Sequence, residues 1–390
     1  MAETILTNGR IICRDRVIEG GTVVLHDGLI VAIDDERSQH PAAIDLDGDH
    51  LLPGLIEIHT DNMEKHFVPR PGVFWPSALG AVLGHDLQMA GAGVTTVFDA
   101  ISLGIYDDKK ERREILDQAM LGLAAAKAQH LTRAEHFIHL RCEVSDPAML
   151  SMFEPYADHP LVKLVSLMDH TPGQRQWWDV AKYVEYHRGE NWSSEELERR
   201  LAVLRQQQSE HAEPSRRAVV ETCQARGIPM ASHDDANADH IEEAVASGIA
   251  ISEFPLSLDV AAHARQRGMK TVMGAPNVVR GGSHSGNVSA IDCAGAGVLD
   301  GLSSDYVPAA LLMAAYILAG RLGLALNDTV AMVSANIADM VGLIDRGRIA
   351  SGLRADLVRV RPAESRPIEG RPPEICPVVR QVWCKGERVA

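Results

Sequence analysis

The sequence predicts a closed (β/α)8 TIM-type barrel carrying a small β-sandwich built from both ends of the chain. Three observations predict it. Short apolar runs alternate with helical patterns through the middle of the chain, as in parallel βα units. Eight such runs can be counted, and most end in polar, chemically capable side chains. Both ends, by contrast, are strand-like without intervening helices, and chain termini tend to lie close together. We therefore expect residues 1–52 and 342–390 to form the small domain and residues 53–341 the barrel.

The N-terminal part reads ETILTNGRIIC and VIEGGTVVLHDGLIVAIDDE, in which Asn8-Gly9 and Asp27-Gly28 signal hairpin turns. GRIASGLRADLVRVRP and VVRQVWCKGERVA, flanking a Pro-rich loop from Arg361 to Pro377, give the C-terminal part the same texture. Pro53-Gly54 then bend the chain into the first barrel strand, Leu55–Asp61. Further strands are predicted at Val94–Asp99, Phe137–Glu143, Leu161–His170, Ile228–Asp234, Ile249–Phe254, Thr271–Asn277 and Leu299–Tyr306. Helices are predicted over Asp108–Gln129 and Ser194–Glu210, the second opened by Ser193 and Glu196 as a capping box. No GxGxxG or GxxxxGK[ST] follows an early strand, which argues against a doubly wound nucleotide-binding sheet.

Composition narrows the function. Hydrophobic residues make up 46% of the 390, enough for a sizeable core. No apolar run reaches the roughly 18–20 residues that span a bilayer, and Ala309–Ala319 reads as a barrel helix. The first residues lack a basic stretch followed by an apolar one, so no secretory signal is expected. Six scattered cysteines without a CxxC pair suit a reducing cytoplasm. A net charge of −15 disfavours non-specific nucleic-acid binding, yet a small anionic substrate is allowed where metals or local arginines reverse the sign. A homo-oligomer is compatible with all of this, as is a monomer.

The strand ends carry the chemistry, because active sites of such barrels occupy the C-terminal ends of the strands. His59 and Asp61, two apart in a strand, point to one face and can jointly hold a divalent metal. Glu143 shares parity with His139 and Arg141, a costly trio in a dry core, and reads as a carboxylate bridging two ions. Lys163 lies seven residues before His170, at the wrong end of its strand, and is rejected as a ligand. His170 is a candidate ligand or phosphate donor, or a structural hydrogen-bond partner. His233 stands at a strand terminus with Asp234 and Asp235 behind it to orient its ring. Glu253 is a weaker candidate at the next strand end. Asp305, after the last strand, is placed to take the proton of a water that a bound cation acidifies. In APNVVRGGSHSGN, Arg280, His284 and the glycines suit phosphate oxygens, and Lys65, Arg70 and Arg175 add positive charge at the same mouth.

The motifs LLPGLIEIHTDNMEKHFVPRP, HLRCE, LVSLMDHTPGQRQ, ASHDDA, EFP, MGAPNVVRGGSHSGN and LSSDY together resemble the amidohydrolase superfamily in a phosphonate-catabolic form. The resemblance implies a cytoplasmic, metal-dependent hydrolase using one or two divalent ions, zinc first, with manganese or iron as alternatives. It implies an anionic sugar 5-triphosphate as substrate, cut between its α and β phosphoryl groups to release diphosphate. Three departures from the commoner superfamily pattern accompany it. Asp61 replaces a histidine, Glu143 stands in for a bridging lysine, and the sixth strand ends in Glu253 rather than histidine. A cyclic-amide hydrolase or deaminase on the same scaffold is the rival enzyme reading. A non-enzymatic scaffold is disfavoured, since its strand ends would be free to erode.

Overall fold

The eight runs are neighbouring parallel strands of one sheet in a computed structural model, which describes residues 3–104, 111–283, 286–364 and 375–390. In chain order the strands are Leu55–Thr60, Val94–Leu103, Glu135–Glu143, Val162–Met168, Met230–His233, Ile251–Glu253, Lys270–Gly274 and Gly301–Ser303. The first and last meet through an isolated parallel bridge between Thr60 and Asp305. There the Asp305 N–H donates to the His59 carbonyl and the Asp61 N–H to the Asp305 carbonyl, each at 3.1 Å. Glu57 reinforces this seam, its two carboxylate oxygens accepting from the backbone N–H groups of His59 (2.6 Å) and Ser304 (2.7 Å).

Strand alternation sorts the side chains. Ile56, Phe98, Leu164, Ala231, Ile251 and Val272, each from a different strand, form an apolar floor with Ile337 and Ala338. The helices pack outside, their apolar faces meeting residues such as Leu140, Cys142 and Val165.

The end segments form one mixed sheet of eight strands. Its strands are Thr4–Ile12, Val17–His26, Leu29–Asp34, Ile44–Asp45, His50–Pro53, Leu357–Glu364, Ile375–Cys384 and Glu387–Arg388. Period-2 alternation divides it: Ile11, Leu51, Leu357 and Trp383 pack with Leu46 and Ile349 into its own core. Their neighbours Ile12, Leu52, Val358 and Val382 face the barrel's core instead. Asp27 and Gly28 have φ of 47° and 80° and make the expected tight turn. Asn8-Gly9 does not turn the chain. It lies within the first strand at register shifts, where a Cβ on Gly9 would sit 2.6 Å from Leu46 Cδ1.

Several predicted bounds move. The seventh strand stops at Gly274, and Pro276 starts the helix Ala275–Arg280, so Asn277 is helical rather than a strand end. The fourth and eighth strands stop at Met168 and Ser303. The second runs on to Leu103, so Asp99 lies within it. The helix capped by Ser193, whose Oγ accepts from the Glu196 N–H at 3.2 Å, continues past Glu210 and Pro214 to Arg226. Tertiary burial of Ala212, Val219 and Cys223 outweighs the missing proline donor. The helix predicted from Asp108 is described over Glu111–Ala128, its first three residues lying outside the described ones.

Candidate active site

At the C-terminal ends of the strands, a cleft of about 190 Å³ is lined by His59, Arg141, His170, His233, Asp234, Arg280 and Asp305, among others. Two donor groups stand here, each with ligand atoms within 4.8 Å of one another: His59, His139 and Glu253, and His170, His233 and Asp234. They are neighbours, with the His59 and His233 rings 5.4 Å apart.

The first group is dry. His59, His139 and Glu253 are at most 1% exposed. Glu253 Oε1 lies 3.2 Å from His59 Nδ1, and Oε2 lies 3.9 Å from His139 Nε2. His139 Nδ1 is 3.0 Å from the Ile58 carbonyl, an acceptor, so Nδ1 carries the proton and Nε2 presents a lone pair. Burial pushes His139 down to about 3 and His59 well below the usual histidine range, while it raises Glu253. Neutral imidazoles are the metal-binding form. His139 Nε2 and Glu253 Oε2 face each other without hydrogen-bond partners, and His233 Nε2 also lacks one. Two buried polar atoms that face each other without a hydrogen-bond partner form an arrangement that a cation resolves.

The second group is oriented by its neighbours. His233 Nδ1 is 2.8 Å from Asp234 Oδ2, and His170 Nε2 is 3.8 Å from the same oxygen. Glu143 does not stand open as an ion bridge. One of its oxygens accepts from the His170 backbone N–H at 2.8 Å and from Ser145 Oγ at 2.9 Å, and the other lies 2.5 Å from His170 Nδ1. Burial opposes both charges, yet their pairing lowers Glu143 and raises His170.

Asp305 closes the site. Burial, aided by the negative charge of Asp61, raises its carboxyl to about 7. Its φ of 53°, like those of Asp234 and Phe254 at 56°, is left-handed, the backbone strain that clusters at functional sites. Asp61 itself is outside both donor groups. The strand ends at Thr60 and Asp61 is the residue before the helix Asn62–Phe67, with no side-chain capping bond, so the alternation expected to pair it with His59 has already stopped.

Other predicted residues lie elsewhere. Arg175 is a correction: it is 5% exposed, with Nη1 2.6 Å from Asp235 Oδ1 and Nη2 3.2 Å from Glu243 Oε2, so its charge is spent internally. Nη1 also donates to the His233 carbonyl at 3.1 Å, which makes Arg175 a brace for that strand end. Arg70 is exposed in a turn closed by Val73 N–H to Arg70 O at 3.0 Å. Lys65 stands at the rim, its Nζ donating to the Tyr306 carbonyl at 2.6 Å. His284 lies outside the described residues.

Asp99, the predicted end of the second strand, faces outward rather than into the mouth, because its neighbour Phe98 takes the interior. One oxygen is 2.7 Å from His85 Nε2 and the other 2.8 Å from His136 Nδ1. His136 Nε2 reaches Asp86 at 3.3 Å and His85 Nδ1 reaches Asn62 at 3.0 Å. Every ring nitrogen is engaged, so this cluster is a buried brace rather than a metal site. Burial opposes it, but Asp99 and Asp86 raise His136 to about 9. A raised histidine stabilises fully below its unfolded value of about 6.5 and loses that contribution as pH rises through 9. Melting curves should therefore show wild type losing several °C more than His136→Gln between pH 6.5 and 9.5; parallel curves would refute the pairing.

No family model matches the chain. A solved amidohydrolase superposes with a TM-score of 0.63 at 16% identity, covering 99% of this chain and 98% of that one. A Xaa-Pro dipeptidase with bound methionine gives a TM-score of 0.65 at 15% identity, covering 99% of both chains. Such likeness is one of fold. Barrel, terminal sheet and the histidine–carboxylate groups at the strand ends define the class: a hydrolase with an amidohydrolase-like fold and candidate metal-ligand groups at its strand ends. Within it, the alpha-D-ribose 1-methylphosphonate 5-triphosphate diphosphatase of Escherichia coli (strain K12) is 42% identical over 363 residues, 91% of this chain and 94% of that protein. The chain belongs to this diphosphatase family.

Proposed function

We propose that the chain hydrolyses alpha-D-ribose 1-methylphosphonate 5-triphosphate to the 5-phosphate and diphosphate, in phosphonate catabolism. One juxtaposition carries the reading: His59, His233, Asp305 and Arg280 line a single cleft. Metal-ready imidazoles, a carboxylate near neutrality and an arginine thus face one small volume.

The partnerless buried acceptors fit a divalent cation. His59, His139 and Glu253 would hold one ion, and His170, His233 and Asp234 are the set for a second, with Asp61 at the rim. Zinc is our expectation, and manganese or iron suits the same donors. When bound, such a cation supplies a Lewis acid that acidifies water and offsets phosphoryl charge.

The chain's own residues supply the rest. Asp305 accepts the proton of the attacking water at its carboxylate. Arg280, with the glycines that follow it, meets the phosphate oxygens of the departing diphosphate. Arg70, in the exposed turn closed by Val73, is a further candidate, as is His284, which lies outside the described residues. Glu143 orients His170, and Arg175 braces the strand end that carries His233. We place the reaction in the cytoplasm, where six free cysteines remain reduced, with no nucleic-acid or membrane partner. Among the described residues no helix is long and apolar enough to cross a membrane.

Product analysis with zinc-, manganese- or iron-loaded protein and a ribose 5-triphosphate tests the reading. Diphosphate should be released, and chelation should abolish the release. Orthophosphate as first product would contradict the point of attack, and opening of a dihydropyrimidine ring would favour the cyclic-amide alternative.

A further inference from the structure

Beside the active-site cleft lies a second, of about 660 Å³, whose lining includes Asn62, Lys65, His66, Trp75, Gln88 and Tyr306. Tyr306, the residue after Asp305, lines both clefts. Lys65 lines only the second and Arg280 only the first. Lys65 is held at the seam, its Nζ bonded to the Tyr306 carbonyl and 5.3 Å from the centre of the Tyr306 ring. An ammonium keeps further donors after one such bond. Asn62 Nδ2 and His66 Nε2 both approach Gln88 Oε1, at 2.9 and 3.2 Å, which fixes the polar floor. Gly84 lets the His66 ring lie close, since a Cβ there would be 3.0 Å from Nδ1. Trp75 leaves 48% of its surface exposed over this cleft.

We infer that the second cleft receives the ribose 1-methylphosphonate end of the substrate, while the triphosphate lies along the active-site cleft. The inference rests on the function proposed above and assigns the two ends of that substrate to opposite sides of Asp305. Charge decides the direction. A methylphosphonate ester carries a single negative charge, which one lysine matches. A triphosphate carries several, which call for the forked donors of Arg141 and Arg280. The exposed Gln88 amide, held by Asn62, suits a ribose hydroxyl, and the Trp75 face suits the apolar side of a sugar ring. A substrate with its reacting phosphorus beside Asp305 passes Tyr306 to reach Lys65.

The test compares kcat/KM on two substrates, the full molecule and ribose 5-triphosphate lacking the phosphonate. Lys65→Ala should cost the full substrate about tenfold more than the truncated one, mainly in KM, as expected for a bond to a charged group. Lys65→Arg should recover most of that difference. Trp75→Ala should act in the same direction, and Arg280→Ala should cost both substrates equally. Equal losses for Lys65→Ala on the two substrates overturn the inference while leaving the activity in place. Wild-type protein that releases diphosphate from neither substrate overturns the activity, and this assignment with it.

Discussion

Asp305→Asn is expected to lower kcat by roughly 10²–10⁴-fold, the range for loss of a positioned proton acceptor. The substitution isolates chemistry from folding. Asparagine tolerates the left-handed φ of 53° as aspartate does. The backbone bonds that close the barrel at this residue use its N–H and carbonyl, and neither is altered. Metal content and melting temperature should therefore stay near wild type, and the loss should appear in kcat rather than KM. The pH dependence follows from the raised carboxyl. Asp305 must be ionised to accept a proton, so activity falls as pH falls through its pKa. Burial and Asp61 set that value to about 7 without a cation, and a bound cation lowers it. The acid limb should thus lie at or below pH 7 in wild type and vanish from the residual rate of the variant. A variant retaining most of its kcat would remove Asp305 from proton transfer.

Glu135→Ala should destabilise the fold by about 3 kcal/mol. Glu135 opens the third strand, at the end of the barrel away from the active site. Its carboxylate pairs with Arg346, with Arg354 Nη1 at 2.5 Å and with Lys385 Nζ at 3.4 Å, tying the barrel to the C-terminal segments. Both arginines are 6% exposed, so removing their shared anion leaves buried charge under-compensated. The cost stays at the low end for a broken buried pair, because Arg346 keeps Asp345 at 2.8 Å and Arg354 keeps Asp356 at 2.6 Å. Burial alone would raise the carboxyl, but the two arginines hold it at about 2. A depressed carboxylate stabilises fully above its unfolded value of about 4.3 and loses that contribution as pH falls through 2. Urea melts at pH 7 measure the first effect. Melts between pH 2 and 5 should show a steeper acid loss for wild type than for Glu135→Gln, and identical slopes would count against the pairing.

Much of the active site was legible because strand ends are local features. His59, His170, His233 and Asp305 each lie in the last three residues of a predicted strand, and the structure gathers all four around one cleft. Glu253 was read only as a weak candidate and proves to share the driest donor group. Asp61 and Arg175 were read from position alone. Whether a carboxylate faces an imidazole, or a guanidinium is already paired, depends on residues far away in the chain.

The sequence by itself determined the alternation of strand and helix, the closing β segments and the polar rim, since each follows from residue patterns a few positions long. Only the tertiary structure decided which side chains share a level. Barrel strands are staggered: Thr60 pairs with Asp99, and Ala100 with His139, so mid-strand His139 stands level with the end of the first strand. The third strand runs four residues further, which carries Glu143 past that level to His170. Stagger is a property of the closed sheet, and no single strand encodes it.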